Sequence, residues 1–377
     1  MPGPSQIRVI EAFPVTCNLP RAVGDGQGLQ PIRQSMFVRV TVENGAYGWG
    51  EGGPPDPGAT LVRTRVADAL RGMDGLATDV VHERAARLGI PRSVLGGLDI
   101  ALWDVKGKLM GQSVAGLLGG ARRTRVPAYA SLHNYSESPD CGDELAALIR
   151  DAQARGFRAL KLKVGGRSIV EDVAYLRLAR EFAGPDFGLM ADANQCYELP
   201  QAVRVGRVLE ELGYAWFEEP LRRTDVHGYT ALRSKLDIAI AGGEGTQSLA
   251  DLQILLQERA VDITQPDVAG VGGVSEARIL ARMAAAWGAL PTFHVWNSPL
   301  VQVATLHMLA NQAPWRGLSM DAEAAPLEVT TMPNDMRQAL VPNAPSIDSD
   351  GTIGLPEGTG LGVDVDLDAL HTFALEV

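Results

Sequence analysis

Two lysines, five carboxylates and one histidine recur at a single kind of position in this chain, at or just past the ends of short apolar runs. Lys161 and Lys163 stand two apart in Ala159-Leu160-Lys161-Leu162-Lys163-Val164. Alternation along a strand puts both on one face and leaves the other face apolar. Asp192, Glu218 and Glu244 follow at a constant spacing of 26 residues. Asn194 lies just after the first, Glu219 just after the second, and Asp267 and His294 end the next two apolar runs. Strand interiors rarely bury charge unless it is paired or bound to metal, so this many charges at equivalent places form a constellation.

Three carboxylates at the ends of successive strands can converge on one hard divalent cation. An all-oxygen set with room for water and substrate suits Mg²⁺. Zinc fits less well, because the candidate ligands include neither cysteine nor a histidine pair. A lone carboxylate in such a place is most often a solvated surface charge, and most lysine pairs are a basic edge; three carboxylates in register make that reading weak. Two buried ammonium groups side by side should lower each other's pKa, making one a feasible base near neutral pH. A lone histidine is more often structural. Asp267 behind His294, however, would fix the imidazole tautomer and raise its basicity.

The elements that must position these groups are readable from periodicity. Residues 7–16, 36–43 and 46–50 read as antiparallel strands, with Asn44-Gly45 as a hairpin turn. Segments 18–33 and 52–58 are rich in Gly and Pro and read as surface loops. Helical patterns follow at 61–70, 80–88 and 91–118, and 121–125 reads as a linker. Strands are then expected at 128–131, 159–164, 188–192, 215–219, 238–242, 262–266, 291–295 and 317–321, with amphipathic helices between them. Eight such units fit an α/β fold of the (β/α)8-barrel type. An open doubly wound sheet is disfavoured, because no Gly-rich fingerprint follows the first strand. The expected domains are an α+β unit over 1–123, a barrel over 124–345, and a tail over 346–377 that packs back on the first unit.

Composition bounds the partners. The chain has 377 residues, 34 Lys+Arg against 45 Asp+Glu, and a formal net charge of −11. That balance gives no electrostatic footprint for nucleic acid or an anionic membrane. No apolar run approaches the roughly 18 residues of a spanning helix. The first residues lack the basic and apolar regions of a signal peptide, and three scattered cysteines form neither a disulfide framework nor a metal motif. The expectation is a cytoplasmic protein acting on a small molecule.

Taken together, Lys161-Leu162-Lys163, Asp192-Ala193-Asn194, Trp216-Phe217-Glu218-Glu219-Pro220, Gly242-Gly243-Glu244, Gln265-Pro266-Asp267 and His294 resemble the enolase superfamily in its mandelate racemase subgroup. The stretches 97–104, 117–120 and 358–363 extend that resemblance over nearly the whole chain. It implies a modified barrel with a capping domain, formed by the N-terminal region and the tail, whose loops 18–33 and 52–58 close on substrate. It implies Mg²⁺ on Asp192, Glu218 and Glu244, acid/base roles for Lys163 and the His294–Asp267 pair, and Lys161 beside the substrate carboxylate. Asn194, Ser319, Glu323 and Trp296 are the expected substrate contacts, and a homo-oligomer between dimer and octamer is implied. The resemblance departs at strand 8, where members often carry a glutamate before an aromatic-Asp pair. Ser319 takes that place in 317–321, and Glu323 lies two residues beyond it.

The chemistry implied is metal-assisted abstraction of the proton α to a carboxylate, through an enediolate. Dehydration of a sugar acid is the favoured outcome. Racemisation, epimerisation and opening of a sugar-acid lactone are the alternatives, the last suggested by the run His294-Val295-Trp296. From other classes, a metal-dependent hydrolase or a non-catalytic binding protein stays open.

Overall fold

The computed structural model describes residues 3–132, 142–296, 299–314, 325–332 and 334–376. Strands β1 (Ile7–Asp25), β2 (Gly28–Val42) and β3 (Tyr47–Glu51) form an antiparallel sheet in that order. Segment 18–33, expected as a loop, instead extends β1 and β2 into a long ribbon paired from Cys17↔Arg33 to Asp25↔Gly28. Its register slips between Asn18 and Val23, where Pro20 and Pro31 fall. A proline without an N–H is tolerated at such an irregularity, so the prolines mark a slip in the ladder and not its end. Segment 52–58 likewise is only partly loop, since the helix Pro55–Leu61 starts within it with Pro at its first turn.

The sheet rests on the helix Arg92–Met110. The approach is close at Gly50, where a Cβ would stand 2.0 Å from the Gly97 carbonyl oxygen. Met36, Val38, Val40, Leu98 and Leu102 belong to the core between the two.

The second layer is a ring of parallel strands: β4 (Arg125–Ser131), β5 (Ala159–Lys163), β6 (Gly188–Asp192), β7 (Trp216–Glu218), β8 (Ala239–Gly242), β9 (Ile263–Thr264), β10 (Leu290–Pro291) and β11 (Leu327–Thr330). Neighbours in sequence are neighbours in the sheet, and β11 pairs in parallel with β4. Between β10 and β11 the link is made by side chains: Thr292 Oγ1 donates to the Pro326 carbonyl at 3.1 Å, and the Val295 amide donates to Glu328 at 3.0 Å. Helices alternate with these strands, as a barrel requires. The expected eighth strand, 317–321, lies outside the described residues; the observed one is β11, ten residues later. The tail adds β12 (Thr352–Gly354) antiparallel to β4, and then reaches the N-terminal sheet, where the Thr16 amide donates to Phe373 O at 2.9 Å. Among the described residues no helix is long and apolar enough to cross a membrane.

A buried ionic joint ties the N-terminal layer to the barrel. His82 Nδ1 lies 3.1 Å from Asp99, and Nε2 lies 3.4 Å from Glu276 on the barrel helix Val274–Ala286. Burial disfavours the imidazolium, but Asp99 and Glu276 outweigh it and push His82 up to about 9. A folded pKa above the unfolded value means the stabilisation is complete below about pH 6.5 and is lost as pH rises through 9. The expected result is a melting temperature that falls between pH 7 and 9.5. A His82→Gln variant should lose most of that slope, which melting curves across this range would check.

Candidate active site

Register places the catalytic candidates at one level. Lys163 and Asp192 are Cα partners between β5 and β6, and Asp192 and Glu218 are partners between β6 and β7. Residues side by side in parallel strands point to the same side, here the barrel mouth. Lys163 Nζ stands 2.5 Å from Asp192 Oδ2. Lys161 Nζ stands 2.5 Å from Glu218 and 3.5 Å from Asp192. Trp216 Nε1 and Gln265 Nε2 also donate to Glu218 Oε2, at 3.1 and 2.7 Å.

The lysines do not behave as the sequence suggests. Burial does oppose their charge, but Glu218 and Glu328 raise Lys161, and Asp192 raises Lys163, so both end above the ordinary lysine value. The sequence places the two lysines side by side; the carboxylates that outweigh them come from other strands. Asp192 is correspondingly held low: burial works against its charge, and Lys163 and Lys161 overcome it. Glu218 is pushed up to about 8 by burial and by Asp192.

Glu328, on β11, is the residue the sequence reading missed. It is fully buried, its Oε1 lies 2.9 Å from Lys161 Nζ, and its Oε2 accepts the Val295 amide. Lys161 and His294 hold it down to about 2 against burial. A glutamate thus stands on the strand that pairs with β4, beyond Ser319, while 317–321 lies outside the described residues. The signal was Leu327-Glu328-Val329, a charge between two β-formers, without the aromatic-Asp pair expected to follow. Glu328→Gln should lower turnover about 10²-fold while leaving the melting temperature within a few degrees, because the amide keeps the shape but not the charge facing Lys161. Steady-state kinetics beside a melting curve tests this.

On the other side of the mouth, His294 Nδ1 lies 3.0 Å from Asp267 Oδ2, and Asp267 Oδ1 accepts the Gly270 amide at 2.7 Å. Burial opposes the imidazolium, but Glu244 and Asp267 push His294 up to about 10. Glu244 Oε2 is 3.9 Å from His294 Nε2, and its other oxygen meets Arg223 at 3.1 Å. Arg223 also holds Glu219 at 2.6 Å, and Glu219 takes a left-handed backbone conformation. Asn194, also left-handed, is buried with Oδ1 unpartnered among the described residues. Trp296 lies two residues past His294, with Arg33 of β2 stacked over its ring at 4.5 Å. Ser319 and Glu323 lie outside the described residues.

Among the described residues, no three His, Cys, Asp or Glu side chains are gathered as one metal-ready group. Each candidate ligand is instead matched by a cation of the chain: Asp192 by Lys163, Glu218 by Lys161, Glu244 by Arg223. The donor chemistry still fits a hard divalent ion, with three oxygen ligands on successive strands. Burial and Asp192 together push Glu218 up, so these two carboxylates repel each other at short range, and a shared divalent cation would relieve that repulsion.

The chain matches known proteins in sequence and in fold. Residues 28–119 match the N-terminal domain of the mandelate racemase / muconate lactonizing enzyme family, and residues 144–369 match the enolase C-terminal domain-like family. The chain is 33% identical over 352 residues to D-galactarolactone cycloisomerase of Agrobacterium fabrum, covering 91% of this chain and 92% of that one. It is 32% identical over 287 residues to arabinonate dehydratase of Saccharolobus solfataricus, covering 75% and 72%. A solved racemase from Streptomyces coelicolor with bound magnesium superposes with a TM-score of 0.85 at 27% identity, covering 98% of this chain and 100% of that one. The chain belongs to the mandelate racemase/muconate lactonizing enzyme family of the enolase superfamily.

Proposed function

We propose that this enzyme removes the proton α to the carboxylate of a sugar acid and then expels an oxygen from the β-carbon. The observation that carries this reading is two proton-carrying groups, Lys163 and the Asp267-backed His294, on separate sectors of a mouth otherwise lined with carboxylates. Asp192, Glu218 and Glu244 would hold Mg²⁺, which supplies positive charge to the substrate carboxylate as it becomes an enediolate. Lys161, held by Glu218 and Glu328, offers a second positive group to the same oxygens. Lys163 keeps its proton chiefly through Asp192. With Asp192 committed to a divalent cation, Lys163 loses that support and becomes competent as the base.

In the step itself, the Cα–H electron pair becomes the carbon–carbon double bond of the enediolate and the proton passes to Lys163. Collapse of the enediolate breaks the Cβ–O bond, and His294, its Nδ1 hydrogen-bonded to Asp267, delivers a proton to the departing oxygen. A β-hydroxyl leaves as water, which is dehydration. A ring oxygen leaves still attached to the product, as a carboxylate from a lactone or as a hydroxyl from a cyclic ether, which is ring opening. Dehydration is the first reading. The ring-opening reading is favoured by the D-galactarolactone cycloisomerase, which matches this chain over more than nine-tenths of both lengths. Turnover of sugar acids and their lactones, followed by mass spectrometry, separates the two: loss of one water supports dehydration, and an isomer of unchanged mass supports ring opening. Hydrolysis of an added ester or amide without either product would sink both.

A further inference from the structure

Three Lys or Arg side chains are buried among the described residues, and two of them, Lys161 and Lys163, have carboxylate partners within 3 Å. Arg33 is the third. Only 7% of it is exposed, its Nη1 donates to the Ile32 carbonyl at 3.2 Å, and its buried Nη2 has no hydrogen-bond partner among the described residues. Burial lowers its pKa and outweighs the opposing effect of Cys17. A buried charge without a counter-charge is costly, and the planar guanidinium is the group best matched to a carboxylate.

The place of Arg33 says what the counter-charge is. The ribbon of β1 and β2 crosses the barrel mouth. At its tip, Gln27 Nε2 donates to the Asn194 carbonyl, and a Cβ at Gly26 would stand 2.8 Å from Gly166 N, so the tip lies against the loops after β5 and β6. Nearer its base, Cys17, the register partner of Arg33, donates to Asn334 Oδ1 at 3.5 Å, just after β11. Arg33 thus lies beside the support at the base, stacked on Trp296, two residues from His294. Lys161 and the candidate metal ligands stand at the strand ends below.

We propose that Arg33, on the face of Trp296, binds a second carboxylate of the substrate, remote from the one that is enolised, so that the substrate class is sugar diacids or their monolactones. The inference rests on reading the barrel mouth as the site of sugar-acid enolisation. Lys161 would serve the reacting carboxylate and Arg33 the distant one.

The test compares a six-carbon sugar diacid with the aldonate of the same configuration, whose distal group is a hydroxymethyl. The wild type should favour the diacid in kcat/KM by about 10–100-fold, mostly through KM. Arg33→Gln should collapse that ratio toward one, and Arg33→Lys should keep part of it. A second readout does not depend on turnover: calorimetric titration with adipate and with hexanoate, neither of which reacts, in Mg²⁺ buffer. Adipate should bind more tightly than hexanoate to the wild type, and the difference should vanish in Arg33→Gln. An unchanged diacid preference or adipate affinity in Arg33→Gln would overturn the role of Arg33. Turnover of neither acid, with adipate affinity still dependent on Arg33, would overturn the enolisation reading and leave the diacid site standing.

Discussion

Lys163→Ala and His294→Asn should each lose turnover by about 10²–10⁴-fold, yet differ in what they can still do. Lys163 and His294 sit on β5 and just past β10, with the strands of the candidate metal ligands, β6 to β8, between them on one arc of the ring. Lys163, next to Asp192, is the group whose proton affinity is tied to a candidate metal ligand. His294 is hydrogen-bonded to Asp267, which lies outside the candidate ligand set and favours its protonated form, so it is equipped to act as an acid. His294→Asn should thus still exchange the α-proton of the substrate with D₂O, because the base remains, while Lys163→Ala should lose exchange with turnover. Loss of exchange in both variants would mean that the two residues serve one step. Exchange in both would point to racemisation or epimerisation, with each group working on its own face. Proton NMR of recovered substrate distinguishes the three outcomes.

The second large effect concerns the cation. Stripping divalent ions should reduce turnover by at least about 10³-fold, and Mg²⁺ should restore it. Glu218→Gln neutralises one of three anionic ligands and frees Lys161 from its shortest contact, so Mg²⁺ affinity should fall about 10–100-fold. Calorimetric titration of Mg²⁺ into the stripped protein reads this without any substrate. Unaltered affinity in Glu218→Gln would remove Glu218 from the ligand set.

How much of this was legible in the sequence differs residue by residue. Lys161, Lys163, Asp192 and Glu218 could be placed because strand alternation and the repeat length of one strand–helix unit fix both face and level, and their ladder register bears this out. The His294–Asp267 contact followed from their equivalent places on adjacent strands. Glu328 escaped because the eighth strand is short and carries its charge in mid-strand, while the apolar run at 317–321 offered a stronger local pattern. The carboxylates that raise the proton affinities of the lysines were hidden, because sequence shows the like-charged neighbour and not the opposite charges across the sheet. Arg33 was hidden for a different reason. Its Gly- and Pro-rich surroundings suggest a loop, and only pairing with β1 turns that segment into a ribbon that lays a buried cation against Trp296.

The central claim is that the α-proton leaves as a proton to a base of this protein. It is tested most directly by giving the enzyme a substrate labelled with deuterium or tritium at the α-carbon, in Mg²⁺ buffer. The account predicts that the label passes into water as product forms, with a primary isotope effect on kcat/KM when proton removal limits the rate. Product that forms at the normal rate while no label reaches water would contradict it.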